Sequence, residues 1–452
     1  MPSFISWLNE FRGRIKLHRL LENELVRRIV KNSGYLFSAT GVSAALSMLQ
    51  GILVARLLSV ADFGFLGAIT VFTSVINNLV SFRMSELVIK YVGQYTESGD
   101  PPRAAAVFKL AALFEMLASV IAFGLVWALA PLGAVYFAKD AATSNLFLIY
   151  GLILLANLIA ESSTGLPQIF DRFRRMAALN VVQSLFTLAI ILWAYLAKGG
   201  LLEILLAYLG GKAVGALGLT VAALVEASRR WGPGWWRVSI GLLRPQRREL
   251  ARFAVSTNLS ASISLVTKDS ELLWVSFYRS LPEVGFYKLA LSLANLVQMP
   301  VNPMPQATYP ELSRQVARQN WADVRTVLRQ GAWMAGGYTV AATLFLVLLG
   351  QPLIRYVYKP ELLPAYPALV ILLVGYLAAN TFYWRRVALL ALGRPDFPVK
   401  VNLILALLKV IGLILLVPRF GYLASAALLA GFYWVGSIVS VLKIRALIAQ
   451  QE

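Results

Sequence analysis

Four apolar runs constrain this chain more than anything else in it: residues 34–55, 104–130, 201–226 and 331–350. A helix rises ~1.5 Å per residue, so a run of ~20 residues crosses the ~30 Å hydrocarbon core of a bilayer. In hydrocarbon every backbone amide must find its partner within the protein, which leaves helices or closed barrels. Uninterrupted runs of this length select helices. Composition agrees, with 58% hydrophobic and 14% charged residues, against ~45–50% apolar for soluble domains. The expected fold class is all-α, a polytopic membrane protein.

Twelve spans are expected, at 34–55, 64–82, 104–130, 145–166, 177–197, 201–226, 253–277, 284–304, 331–350, 363–384, 397–417 and 421–441. With the N-terminus inside, the inner segments carry 30 of the 42 Lys/Arg and the outer loops eight. That bias follows the positive-inside rule and puts both termini in the cytoplasm. It also accounts for the net charge of +20 without a nucleic-acid partner. The first 31 residues carry seven Lys/Arg, with Phe4, Leu8, Phe11 and Ile15 at helical spacing. They are expected to lie on the cytoplasmic surface as an amphipathic helix and not to act as a signal peptide.

The chain repeats itself. Residues 54–65 read VARLLSVADFGF and residues 275–286 read VSFYRSLPEVGF, an offset of 221 with four of twelve positions identical. Residues 228–252 contain Gly-Pro-Gly, Trp231, Trp235, Trp236 and several arginines, which suits a linker at headgroup level. The expected units are 1–31, a first bundle at 32–227, the linker at 228–252 and a second bundle at 253–452. Six spans per half give both halves one orientation, related by a pseudo-two-fold axis along the membrane normal.

Polar residues repeat at the same offset. Span 1 carries Ser33, Thr40, Ser43, Ser47 and Gln50, and span 2 carries Thr70, Ser74, Asn77 and Ser81. Span 7 carries Ser256, Ser260, Ser264, Thr267 and Glu271, and span 8 carries Lys288, Ser292, Asn295 and Asn302. At ~100° per residue each set forms a stripe. Such stripes either glue helices together or line a hydrated cavity. Their matched positions favour a central cavity between the halves, with Gln50, Asn77, Lys268, Glu271, Lys288, Asn295 and Asn302 as its substrate-binding candidates. Lys268 and Lys288 are the candidate cations for an anionic group, the alternative for Lys288 being to snorkel to the outer interface.

Charge within hydrocarbon is costly unless paired or hydrated. Helical angles place Asp269 away from the span 7 stripe, with Lys409 at comparable depth. These two are expected to pair within the second bundle, as a structural ion pair or as an ion-coupling site. Arg83 and Glu86 are expected to pair locally, and Arg56 to anchor the outer turn. Partners for Glu115, Glu161 and Lys212 are left open.

There is no cysteine, and the single histidine is His18. Thiol chemistry, a metal site built on Cys or His, and a His-based triad are therefore not expected. No phosphate-binding P-loop and no paired catalytic carboxylates are present, so an enzyme is not expected.

The stretch from Val30 to Thr70 resembles the start of Wzx-type polysaccharide flippases, members of the multidrug/oligosaccharidyl-lipid/polysaccharide exporter (MOP) superfamily. The resemblance rests on Lys31-Asn32, Ala55-Arg56-Leu57-Leu58 and Asp62-Phe63-Gly64. It continues through Asp269, Glu283-Val284-Gly285-Phe286-Tyr287, Pro310-Glu311-Leu312, Gly393-Arg394 and Phe420-Gly421. It implies a carrier in the bacterial cytoplasmic membrane that moves a glycan on a polyprenyl diphosphate from the inner to the outer leaflet by alternating access. The implied pathway is cell-surface polysaccharide biosynthesis, alongside its polymerase and glycosyltransferases. No cofactor is implied, and a proton or sodium gradient or the membrane potential is the candidate energy source. One chain holds both halves, so a monomer is expected. Lipid II flippases of the same superfamily have an arginine-rich cavity, whereas only Lys268 and Lys288 stand near the expected cavity here. The alternatives are an ion-coupled multidrug exporter of the same superfamily and a non-transporting scaffold of a glycan assembly complex.

Overall fold

The computed structural model describes residues 24–81, 83–254 and 265–451. Phe4, Leu8, Phe11 and Ile15, and the stripe residues Ser256, Ser260 and Ser264, lie outside the described residues, as do the side chains of Ser33, Thr40 and Thr267. Among the described residues nine helices are long and apolar enough to cross a membrane. The apolar stretch Gly41–Leu57, the helix Glu271–Tyr278 and the helix Leu281–Gln298 take up the three remaining expected positions, spans 1, 7 and 8. The fold is the expected one, twelve transmembrane helices in two six-helix bundles.

Local chemistry fixes the repeated turns. In the first, Ser59 caps the helix Val60–Val80 by accepting from the Asp62 amide, and its hydroxyl donates to the Asp62 carboxylate at 2.7 Å. Both interactions occupy donors and charge that a helix N-terminus offers. The second turn solves the same problem differently. Pro282 opens the helix, Arg279 donates to Glu283 at 2.9 Å, and Glu283 also accepts from the Tyr422 amide at 3.4 Å.

Several spans are not regular α-helices. Span 3, Pro101–Gly133, ends in a π-helical turn at Ala134–Ala138, and span 9, Trp321–Pro352, ends in one at Leu353–Tyr358. Span 7 contains a third at Leu265–Asp269. Span 4 breaks between Ser144–Ala156 and Ala160–Ile169. Span 10, Ala365–Thr381, breaks before a short helix Arg385–Ala391.

The halves meet along spans 2 and 8, at the end bearing the repeated turns. Gly64 and Gly285 make the contact possible. A methyl group on Gly64 would lie 2.0 Å from the Leu281 carbonyl oxygen, and one on Gly285 2.6 Å from that of Val60. Hydrogen bonds between the halves gather at the same end. Arg56 donates to the carbonyls of Val357 at 2.8 Å and Tyr358 at 3.1 Å, and Lys359 donates to that of Leu58. Ser276 donates to the Phe137 carbonyl at 2.6 Å, and Lys139 to that of Phe277 at 2.7 Å. Thus the π-turn of span 9 clasps span 1 as the π-turn of span 3 clasps span 7, which is the pseudo-two-fold made visible. Partial burial lowers the Lys139 and Lys359 ammonium groups from the ordinary lysine range. Lys139 stays exposed and Lys359 half-buried, so contacts between the halves close this end without drying it.

Candidate functional site

Two chambers lie below the sealed end. The first, of about 390 Å³, sits between spans 1 and 8 and includes Ser47, Lys288, Ser292, Asn295 and Asn302 in its wall. The second, of about 440 Å³, lies within the second half and includes Lys268, Asn302, Gln306, Asn380, Arg385 and Arg386. Asn302 lines both. Lys288 lies on the helix Leu281–Gln298 and Asn302 in the turn that follows it.

The expected candidates divide by place. Lys288, Asn295 and Asn302 line the first chamber and Lys268 the second. Tyr376 donates to the Asn295 side-chain oxygen at 2.5 Å, which fixes that amide at the wall. The Lys288 ammonium donates to the Phe63 carbonyl at 3.2 Å and lies 4.2 Å from the centre of the Phe63 ring. It is therefore part of the seam as well as of the chamber wall. The Lys268 ammonium lies 5.1 Å from the centre of the Tyr433 ring.

Three expectations are corrected. Gln50 is buried, and its amide donates to the Ser184 carbonyl of span 5 at 2.8 Å. It is a bond within the first bundle, because the span 1 stripe is wide enough to face both the chamber and a neighbouring helix. Asn77 is half-buried and lines neither chamber. The third correction concerns charge. Lys409 pairs with Glu271 and not with Asp269, and both partners are buried, with side chains 2% and 1% exposed. Tyr287 also donates to Glu271. The π-turn Leu265–Asp269 inserts a residue into the helical count, which rotates everything after it by ~100°. Glu271, just after that turn, is buried within the second bundle, while Asp269 is exposed.

Three of the other charges find accounts. Arg83 and Glu86 pair at 3.1 Å, as expected. Glu115 accepts from the amides of Glu161 at 2.7 Å and Ser162 at 2.8 Å and from the Ser162 hydroxyl at 2.6 Å. It caps the half-helix that begins where span 4 breaks, so its charge meets free amides and the positive end of a helix.

Arg385 and Arg386 belong to the site although sequence reasoning assigns them to an inner loop. The break after span 10 folds the chain back, and the helix Arg385–Ala391 returns them to the wall of the second chamber. Arg385 donates to the Ser437 hydroxyl and to the Tyr433 carbonyl at 3.4 Å. Tyr376 and Tyr433 pack ring against ring at 5.4 Å behind it. The charged Trp-Arg-Arg triplet at 384–386, directly after an apolar span, is the only sequence signal for this placement. Among the described residues no acidic side chain lines the second chamber. The wall suits a doubly charged oxyanion flanked by hydroxyl-rich groups.

Comparison with known proteins places this geometry. The family model described as polysaccharide biosynthesis protein matches residues 29–316, and the MatE model matches residues 271–415. The chain is 22% identical over 340 residues to "Inner membrane protein YghQ" of Escherichia coli (strain K12), covering 75% of this chain and 95% of that protein. It is similar to an inward-facing multidrug resistance MATE family transporter of the MOP superfamily, with a TM-score of 0.70 and 14% identity over 90% of this chain and 95% of that one. It is similar to the lipid II flippase MurJ in an inward closed conformation, with a TM-score of 0.69 and 15% identity over 91% and 87% of the two chains. A MOP superfamily transporter from Pyrococcus furiosus Vc1 (DSM3638) gives a TM-score of 0.66 and 16% identity over 94% and 96%.

Proposed function

The chain belongs to the polysaccharide biosynthesis protein family, with the fold of MOP superfamily transporters, and from that premise we propose that it is a Wzx-type flippase for a glycan carried on a polyprenyl diphosphate. The observation that carries this reading is the second chamber, where Lys268, Arg385 and Arg386 stand together and no acidic side chain of the described residues joins them. Guanidinium groups bind phosphate oxygens through paired, charge-assisted hydrogen bonds. A pocket for cationic drugs would call for acidic groups instead. Asn302 links this basic chamber to the amide- and hydroxyl-bearing chamber beside it, where sugars would exchange water for protein hydrogen bonds.

In this reading the protein sits in a bacterial inner membrane, as its YghQ relative is named, with both termini in the cytoplasm. The sealed end then faces outward, and cargo enters from the cytoplasmic leaflet. The two halves rock about the Gly64–Gly285 contact to alternate access. The chain works as a monomer beside the polymerase and glycosyltransferases of its pathway. Its energy comes from an ion gradient or the membrane potential, and the buried cluster Glu271, Lys409 and Tyr287 is the titratable group a proton would address.

The test is reconstitution into vesicles with a fluorescent polyprenyl-diphosphate oligosaccharide, following its protection from an added glycosidase. Protein-dependent loss of protection, abolished by Arg385→Gln with Arg386→Gln, is the expected result. Transport of a cationic dye with no movement of the lipid-linked glycan would overturn the reading in favour of a multidrug exporter.

A further inference from the structure

We propose that the groove between the inter-half linker and span 3 binds one anionic glycerophospholipid, with an acyl chain in the slot and its phosphate on Arg244 and Arg247. The groove holds about 380 Å³ and its walls are almost wholly apolar, with Leu87, Leu110 and Phe114 on one side and Leu243 and Leu250 on the other. It is a built feature of the fold. Leu243 and Leu250 are buried in one core with Val88, Phe108 and Ala111. Tyr91 donates to Glu249 at 2.8 Å, Lys109 donates to the Val238 carbonyl at 3.1 Å, and the Trp235 ring packs on Phe108 at 5.4 Å. The linker is therefore pinned to the first bundle, and the slot keeps its shape.

Two observations say what fills it. Phe114 is exposed, as are Leu113 and Leu117 beside it on span 3, so the slot runs into a surface that faces lipid. At its mouth Arg244 and Arg247 are exposed, with no acidic partner among the described residues. Some of the basic residues at this end do have one: Arg103 pairs with Asp100, Arg172 and Arg230 with Glu226, and Lys90 with Glu249. An apolar slot accepts any hydrocarbon chain, but two uncompensated guanidinium groups select a headgroup with net negative charge over a zwitterionic one. The exposed Trp236 ring marks the same level as interfacial. The groove shares no lining residue with either chamber, which sets it apart from the cargo path.

The experiment is native mass spectrometry of the full chain in mild detergent, offered phosphatidylglycerol, phosphatidylcholine or undecaprenyl phosphate. One phosphatidylglycerol should stay bound, with phosphatidylcholine retained about tenfold less, because its choline cation cancels the headgroup charge and is repelled by the two guanidinium groups. Arg244→Gln with Arg247→Gln should lower phosphatidylglycerol retention by a similar factor. Ala251→Phe, which fills the slot and keeps both arginines, should lower it too. Phosphatidylglycerol should also raise the melting temperature of the wild-type chain and not of the double variant. Equal retention of the two phospholipids by the wild-type chain would overturn the proposal. So would undiminished retention by either folded variant, or displacement of phosphatidylglycerol by equimolar undecaprenyl phosphate.

Discussion

Gly64 and Gly285 stand back to back across the seam between the halves, and they are the same residue of the internal repeat, 221 positions apart. Each lies under a backbone carbonyl of the opposite half, Leu281 and Val60 respectively, and backbone cannot rotate aside as a side chain can. The repeated turn therefore marks the place where the two copies touch. Gly285→Val should penalise the sealed arrangement by ~1–3 kcal/mol through overpacking. The balance then moves towards an unsealed state by ~5- to 150-fold, since 1.4 kcal/mol is a factor of ten. The chain has no cysteine, so spin labels on Ala61→Cys and Ser280→Cys report the seam without background. The expected outcome is a short, narrow distance in the parent and a longer one in the Gly285→Val variant. An unchanged distribution would mean that this contact is not the joint.

The Glu271–Lys409 pair is buried from both sides, so removing one partner leaves an uncompensated charge. Glu271→Gln and Lys409→Met should each cost ~3–5 kcal/mol, while the double variant should recover much of the loss. Thermal unfolding in detergent measures all three. Transport separates structure from coupling. If the pair only fixes the bundle, the double variant still moves glycan and responds to a pH gradient as the parent does. If a proton addresses the cluster, the response to the gradient disappears with the pair.

Most of the architecture was legible because hydrophobic length and loop charge are read directly by the bilayer. The spans follow from those alone, and the repeat from matched residues at an offset of 221. What a helical wheel misses is any departure from 3.6 residues per turn. Glu271, just after the π-turn at Leu265–Asp269, is buried within the second bundle, and the break after span 10 brought Arg385 and Arg386 into a chamber wall. Gln50 shows a different limit. It stands three residues from Ser47, which lines the first chamber, but it bonds to span 5. A stripe locates a polar face and leaves open which neighbour the face meets.

Glu115 supplies a test of the break in span 4. Its carboxylate accepts from three donors of Glu161 and Ser162, and the half-helix Ala160–Ile169 starts there. Glu115→Leu leaves those donors facing hydrocarbon, at ~1–3 kcal/mol for each one left unsatisfied. The expected outcome is a fall in melting temperature of several degrees. Glu115→Gln, which keeps one acceptor oxygen, should fall between the parent and the leucine variant. Equal stability of all three would show that the break is held by packing alone.

The last prediction separates the cations of the two chambers. Lys288 contacts the Phe63 carbonyl and ring across the seam, so part of its donor capacity is used there. Arg386 is exposed at the second chamber, and Lys268 shares that wall. If a diphosphate binds there, Arg386→Gln should weaken binding of a polyprenyl-diphosphate sugar by ~10- to 150-fold, the worth of a charge-assisted hydrogen bond at ~1.5–3 kcal/mol. Lys268→Gln should weaken it in the same direction. Lys288→Gln should leave affinity within about threefold and instead loosen the seam, because it removes a bond between the halves and no bond to the ligand. Tryptophan fluorescence titration with a soluble short-chain analogue measures the affinities, and the spin-label distances at Ala61→Cys and Ser280→Cys report the seam. A larger loss of affinity from Lys288→Gln than from Arg386→Gln would return the anion site to the first chamber.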